Sequence, residues 1–178
     1  MTPWIGFLRG INVGRAKRIA MADLRDLCES LGHQNVRTVL NSGNVVFDSR
    51  AKSAAALSAS LEAALNKTHG FHANTVFVAL DELQAIMRAS PFGKPANPSQ
   101  FLIAFPYDAQ AMQLAAPLKA RAWAPDRVAF AEDAIYLDAA SGLLKSALVN
   151  EFMRITKDTF TTRNWATVGK VIEAANTK

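Results

Sequence analysis

Apolar and polar positions follow two periods along this chain, and the switches between them mark its elements. Trp4, Ile5, Phe7 and Leu8 form a short apolar run that predicts a buried strand. Glycines and cations follow, at Gly10, Gly14, Arg15, Lys17 and Arg18. From Met21 the period lengthens. Leu24, Leu27, Cys28 and Leu31 recur at i, i+3, i+4 and i+7, with Arg25, Asp26 and Glu29 opposite them. That pattern predicts an amphipathic helix stopped at Gly32. Val36, Val39 and Leu40 mark a second strand, and Val45, Val46 and Phe47 a third. Asn41-Ser42-Gly43-Asn44 between them is turn chemistry, which predicts a β-hairpin. A second helix is expected from about Ala54 to Thr68, with Leu57, Leu61, Ala64 and Leu65 inward, Ser53 as N-cap and Gly70 at its end. Thr75 to Ala79 make a fourth strand.

Strand, helix, strand, strand, helix, strand is the split βαβ order. It predicts an α+β protein whose N-terminal part, residues 1–80, is ferredoxin-like βαββαβ with both helices on one face of an antiparallel sheet. Residues 81–178 predict a smaller α+β C-terminal part ending in a helix. There Asp81 is expected to cap a short helix carrying Leu83, Ile86 and Met87. Ser90 to Pro98, with three prolines and a glycine, reads as an irregular surface loop. Phe101 to Phe105 predict a strand, and Leu114, Ala115 and Leu118 a helix stopped before Pro125. Val128 to Ala131 and Ile135 to Leu137 predict a hairpin around Glu132-Asp133. Leu144, Leu148, Phe152 and Ile155 predict a further helix. The last helix is expected to start near Asn164, with Trp165, Val168, Ile172 and Ala175 on one face and Thr161 or Thr162 as its cap. No repeat is visible in the sequence.

Composition narrows the setting. Half of the 178 residues are hydrophobic and 20% are charged, as in ordinary globular domains. No apolar run reaches the ~18 residues that span a bilayer. Met1-Thr2-Pro3-Trp4 lacks the basic and apolar regions of a signal peptide. A single cysteine excludes an intramolecular disulfide. The expected setting is therefore the cytoplasm, with no membrane association. The net charge of +5 suits a nucleic acid or a phosphorylated small molecule as partner, although the cations are dispersed.

Candidate chemistry concentrates in three stretches. The opening loop sets Arg9, Arg15, Lys17 and Arg18 beside a glycine-containing backbone with Asn12 in its middle. Such a loop can cradle an anion through amides and side chains together, or serve as a solvated connection. It lacks the Lys-Ser/Thr pair of a Walker loop, and Gly-x-Gly-x-x-Gly does not occur. Asn41, Ser42 and Asn44 put short polar groups at the hairpin tip, where turn chemistry alone accounts for them. The start of the third strand should lie beside the end of the first, so the tip and the basic loop are expected at one sheet edge. Arg163 and Asn164, at the expected start of the last helix, combine a guanidinium with helix-start amides. They are grouped with the other two stretches on chemistry alone, and packing of Trp165 with an ion pair for Arg163 explains them equally well.

No metal or cofactor is expected. His69 and His72 are separated by Gly70, and His33 is distant. Cys28 lies on an apolar helix face, as a packed thiol does. There is no Gly-x-Ser-x-Gly elbow and no evident carboxylate pair, so no catalytic residue is assigned.

Three phrases in order carry a resemblance. They are Leu8-Arg9-Gly10-Ile11-Asn12-Val13-Gly14 with Met21 and Leu24, Asn35-Val36-Arg37-Thr38 through Asn41-Ser42-Gly43-Asn44-Val45-Val46-Phe47, and Thr162-Arg163-Asn164-Trp165. The chain resembles, over nearly its whole length, the bacterial family called domain of unknown function 1697. That family typically has a glycine where Arg15 stands, and often Gln-Ser-Gly-Asn where Asn41 to Asn44 stand. The resemblance implies an α+β protein with a ferredoxin-like part and supplies no activity. The expected function is binding of a phosphate-bearing ligand or nucleic acid through the basic loop. An enzyme acting on a small anionic metabolite and a structural or interaction module remain as alternatives.

Overall fold

A computed structural model describes residues 1–177 of the chain. The chain divides into two units, one formed by Met1–Gln84 with the stretch that begins at Lys170, the other by Ala85–Gly169. The divisions fall inside two helices, Leu80–Arg88 and Trp165–Asn176.

The first unit contains β1 (Thr2–Leu8), α1 (Met21–Ser30), β2 (Gln34–Val39), β3 (Asn44–Ser49), α2 (Ala54–His69) and β4 (Thr75–Ala79). Its strands lie in the order β2-β3-β1-β4 with every neighbouring pair antiparallel. This is the ferredoxin-like arrangement. The period of two along β1 sorts its side chains: Trp4 and Leu8 join Val45, Phe47 and Phe77 in a core with Leu24, Leu27 and Cys28 of α1 and Leu57, Leu61 and Leu65 of α2. Full burial of each such leucine contributes about 1.5–3 kcal/mol. Gly6 sits between them on β1 because a Cβ there would lie 2.5 Å from the Phe77 ring.

Local signals place the helix ends. Ser53 Oγ accepts from Ala56 N at 3.2 Å, and Gly70, left-handed at φ +70°, donates to Asn66 O. Helix α1 ends at Ser30, and Gly32 follows at φ +87° with its N–H on Glu29 O. Its N-cap position is Ala20, which has no side-chain acceptor to offer.

The second region comprises α3 (Leu80–Arg88), β5 (Phe101–Pro106), α4 (Ala109–Ala115) running into a 3-10 turn (Ala116–Ala120), β6 (Arg127–Phe130), β7 (Ile135–Asp138), α5 (Ala147–Thr156), β8 (Phe160–Asn164) and α6 (Trp165–Asn176). Its strands lie in the order β6-β7-β5-β8, again antiparallel throughout. From β5 to β8 this is βαββαβ a second time, a topological repeat with no visible sequence repeat. Among the described residues no helix is long and apolar enough to cross a membrane.

Four local expectations are corrected here. Thr161 and Thr162 do not cap the last helix; they lie in β8, paired with Phe105 and Ala104. β-Branched threonines suit a pleated surface, but a short polar strand abutting a helix has no apolar alternation to announce it. The cap is Asn164, whose Oδ1 accepts from Thr167 N at 2.8 Å. Asp81 lies within the first turn of α3, its carboxylate accepting from Glu82 N. Leu144 is 96% exposed and precedes α5, which is capped by Ser146. On α4 the inward residues are Ala111 and Ala115, while Leu114 is exposed.

Candidate functional site

Residues 9–20 connect β1 to α1 by a loop that repeatedly enters the left-handed region. Gly10 and Gly14 have φ of +68° and +66°, and Asn12 and Lys17 have +56° and +53°. Glycine and asparagine tolerate that geometry, lysine less so. Asn12 N donates to Lys17 O at 3.0 Å, which closes the loop on itself and holds Lys17 there. The Asn12 side chain does the rest. Its Nδ2 donates to Ile19 O and to Asn41 O, each at 3.0 Å, and its Oδ1 accepts from Ile19 N at 3.0 Å. One amide thus ties the loop to the start of α1 and to the hairpin tip. Leu8 N donates to Gly43 O at 2.8 Å, and Ile11 is buried so close to Gly43 that a Cβ there would meet it at 2.8 Å. Because Phe7 faces Asn44 across the antiparallel β1–β3 pair, the tip and the loop meet at one sheet edge.

The loop's cations differ in setting. Arg9 is half-buried, its N–H donating to Asn74 O and so extending the β1–β4 pairing. Arg15, Lys17 and Arg18 are exposed, and no carboxylate pairs with any of the three among the described residues. Arg18 Nε donates to Gly14 O at 3.1 Å. Arg18 also lines a cleft of about 340 Å³ with Asn12, Ile19, Ala20, Met21 and Asn41. The uncapped start of α1 contributes two of those residues, and its first-turn amides carry the positive end of the helix dipole. This lining contains no carboxylate, imidazole or thiol.

At the hairpin tip the side chains serve the turn. Asn44 is fully buried in β3, donating to Val39 O at 2.7 Å and to Ser42 Oγ at 3.1 Å. Asn41 is exposed and presents its carbonyl to Asn12.

Arg163 and Asn164 belong to the second unit, and each has a local partner. Arg163 Nη1 donates to Thr161 Oγ1 at 3.1 Å and to Thr162 O at 2.9 Å. Asn164 caps α6. Arg163 is thus a strand residue, and the side-chain oxygen of Asn164 is directed at the helix backbone.

Two polar anchors escaped sequence reasoning. Arg37 on β2 donates to Ala174 O at 2.6 Å and also to Thr177 O, so it caps the end of α6 from 137 residues away. Asp126, buried just before β6, accepts from Ser141 N at 2.8 Å, Ser141 Oγ at 2.9 Å and Ser146 Oγ at 2.8 Å. Burial pushes its carboxyl pKa up, but the hydrogen bonds from Ser141 and Ser146 outweigh this and hold it below the ordinary value. Arg37 lies within a phrase that carries the resemblance, but no local pattern marks the role of either residue. Cys28 is buried, and desolvation, with Glu29 adding to it, pushes its thiol up to about 12. Among the described residues no three His, Cys, Asp or Glu side chains group as metal ligands.

A family model described as a protein of unknown function, DUF1697, matches residues 1–136. No curated protein matches the chain. Among solved structures the chain is similar to the conserved bacterial protein SP0830 from Streptococcus pneumoniae, at 23% identity and a TM-score of 0.83, over 98% of this chain and 99% of that one. At that identity the likeness shows the fold.

Proposed function

The chain belongs to the DUF1697 family of proteins of unknown function, and we propose that it is a cytoplasmic protein that binds a phosphate-bearing ligand at the loop between β1 and α1. One observation carries this reading: Arg15, Lys17 and Arg18 project from an anchored loop with no carboxylate partner among the described residues. Cations that serve only to hold a loop are expected to pair or to cap carbonyls; of these three, only Arg18 does, through one N–H. Three like charges held on one short loop repel each other, and a polyvalent anion relieves that repulsion. The adjacent cleft adds the uncapped amides of α1, the backbone complement of a phosphate. Its lining has no group to act as base or nucleophile, which favours binding over catalysis.

Pyrophosphate titration followed by amide chemical shifts tests this at low salt. We expect shifts at residues 9–20, saturable and weakened by added salt, and lost in the Arg15→Ala/Lys17→Ala/Arg18→Ala variant. Absence of shifts in this loop, or equal shifts in the triple variant, overturns the assignment.

A further inference from the structure

A second cleft, within the second unit, has a different chemistry. It measures about 570 Å³, inside the ~300–1,000 Å³ range of ligand sites. Around it three cations each lie over an aromatic ring: Lys119 Nζ 4.5 Å from the Phe130 centroid, the Arg121 guanidinium 4.6 Å from Trp123, and the Arg127 guanidinium 4.4 Å from Phe92. All six side chains line the cleft. None of the three rings is fully buried. Phe92, Trp123 and Phe130 are half-exposed, and each lies beside a cation. Trp123 is fixed by its own Nε1–H, which donates to Leu118 O at 2.9 Å.

The charge is one-sided. Asp126 is the single acidic lining residue, and it is buried and held by Ser141 and Ser146. Arg127 also pairs with Asp138, its Nε 2.9 Å from Oδ2, which sets the plane of its guanidinium, yet 53% of its side chain remains exposed. A guanidinium resting on a ring still offers its outer face, and planar bases stack on that face as they do on aromatic rings. β6 is the edge strand of its sheet, paired only with β7, and all four of its residues line the cleft.

We propose that this cleft binds single-stranded nucleic acid, with bases stacked on the outer faces of Arg121 and Arg127 and the phosphodiester backbone neutralised by Lys119. Three cations each lying over a ring put charge and stacking surface together, as a chain carrying both phosphates and bases requires. An extended peptide adding to β6 would use the strand edge but not the stacked planes, and a free nucleotide would leave two of the three pairs unused. The proposal involves none of the residues of the β1–α1 loop and stands apart from the reading given above.

Fluorescence anisotropy with a short labelled oligouridine, and a charge-matched abasic chain as competitor, tests it. We expect the oligouridine to bind at least about tenfold more tightly than the abasic chain, since stacking adds to charge. Arg121→Lys/Arg127→Lys keeps every charge and the pairing to Asp138 while removing the stacking planes. It should weaken oligouridine binding at least about fivefold, leave the abasic chain unaffected and preserve the salt dependence. Lys119→Ala should instead lower the salt slope by about one phosphate contact. The Arg15→Ala/Lys17→Ala/Arg18→Ala variant should leave the ratio of the two affinities unchanged, which separates this site from the loop. Equal binding of the two chains, an unaffected Arg-to-Lys variant, equal competition by polyglutamate, or uridine monophosphate binding as tightly as the oligomer would each overturn the proposal.

Discussion

The two units fold by the same strand and helix order and differ in how the first strand reaches the first helix. In the first unit β1 leads to α1 through residues 9–20, a basic excursion with four left-handed residues. In the second, Tyr107 and Asp108 alone join β5 to α4, and Asp108 caps that helix directly by accepting from Ala111 N. The topology therefore demands no long connection at this point. The loop of the first unit is an addition to the scaffold, and such additions are where a shared fold acquires a site. The polar keystones differ in the same way. Asn12 serves the added loop from a half-exposed position, whereas Asp126 is buried beneath the segment that leads into α5. There Ser146 passes the interaction on, donating to Asp126 and accepting from Val149 N.

The largest effect should come from Asp126→Ala. It leaves the Ser141 and Ser146 hydroxyls and the Ser141 amide without their acceptor and should cost about 3 kcal/mol, read by urea denaturation. Amide exchange should speed up in β6, β7 and α5 while the first unit keeps its protection. The wild type should also carry an acid dependence that the variant lacks. The folded-state pKa of Asp126 is depressed below 3.8, so in the window between the two values the unfolded chain binds the proton. The carboxylate's contribution is present above that window and is lost as pH falls through the folded value. An identical acid slope in Asp126→Ala would show that another carboxyl controls it.

Asn12→Ala should have a smaller effect, about 1–2 kcal/mol, because the amide it removes is partly solvated. The loss should be local: faster exchange at Ile19 N–H, with β1, β3 and β4 unchanged. Unfolding of the whole first unit by this substitution would refute the view that the loop is an addition to a complete scaffold.

Cys28 should matter least. It faces the core of the first unit from the apolar side of α1. Cys28→Ala should cost no more than about 1 kcal/mol and leave pyrophosphate binding unchanged. With its pKa near 12, little thiolate exists at neutral pH, so the native thiol should label slowly with a maleimide. Rapid labelling would show that α1 opens readily and that the first unit's scaffold is the looser of the two.

Periodicity, turn chemistry and cap residues determined the elements of the first unit, its βαββαβ order, the Ser53 and Gly70 helix ends and the placement of hairpin tip and loop at one edge. Each rests on local pattern or on the antiparallel logic of neighbouring strands, so residues a few positions apart were enough. The second unit was legible only in pieces. Its closing strand β8 is short and polar, and without it the repeated topology could not be recognised. Which polar residues anchor the structure was decided by tertiary contact. Asn12 finds Asn41 29 residues away, Asp126 finds Ser146 20 away, and Arg37 finds Ala174 137 away. A hydrogen bond depends on angstroms between atoms that chain folding brings together, and no periodicity encodes it. The same holds for the ring and cation pairs of the second cleft, where Phe92 and Arg127 meet only once the irregular segment around Pro91 and the edge strand have folded into place.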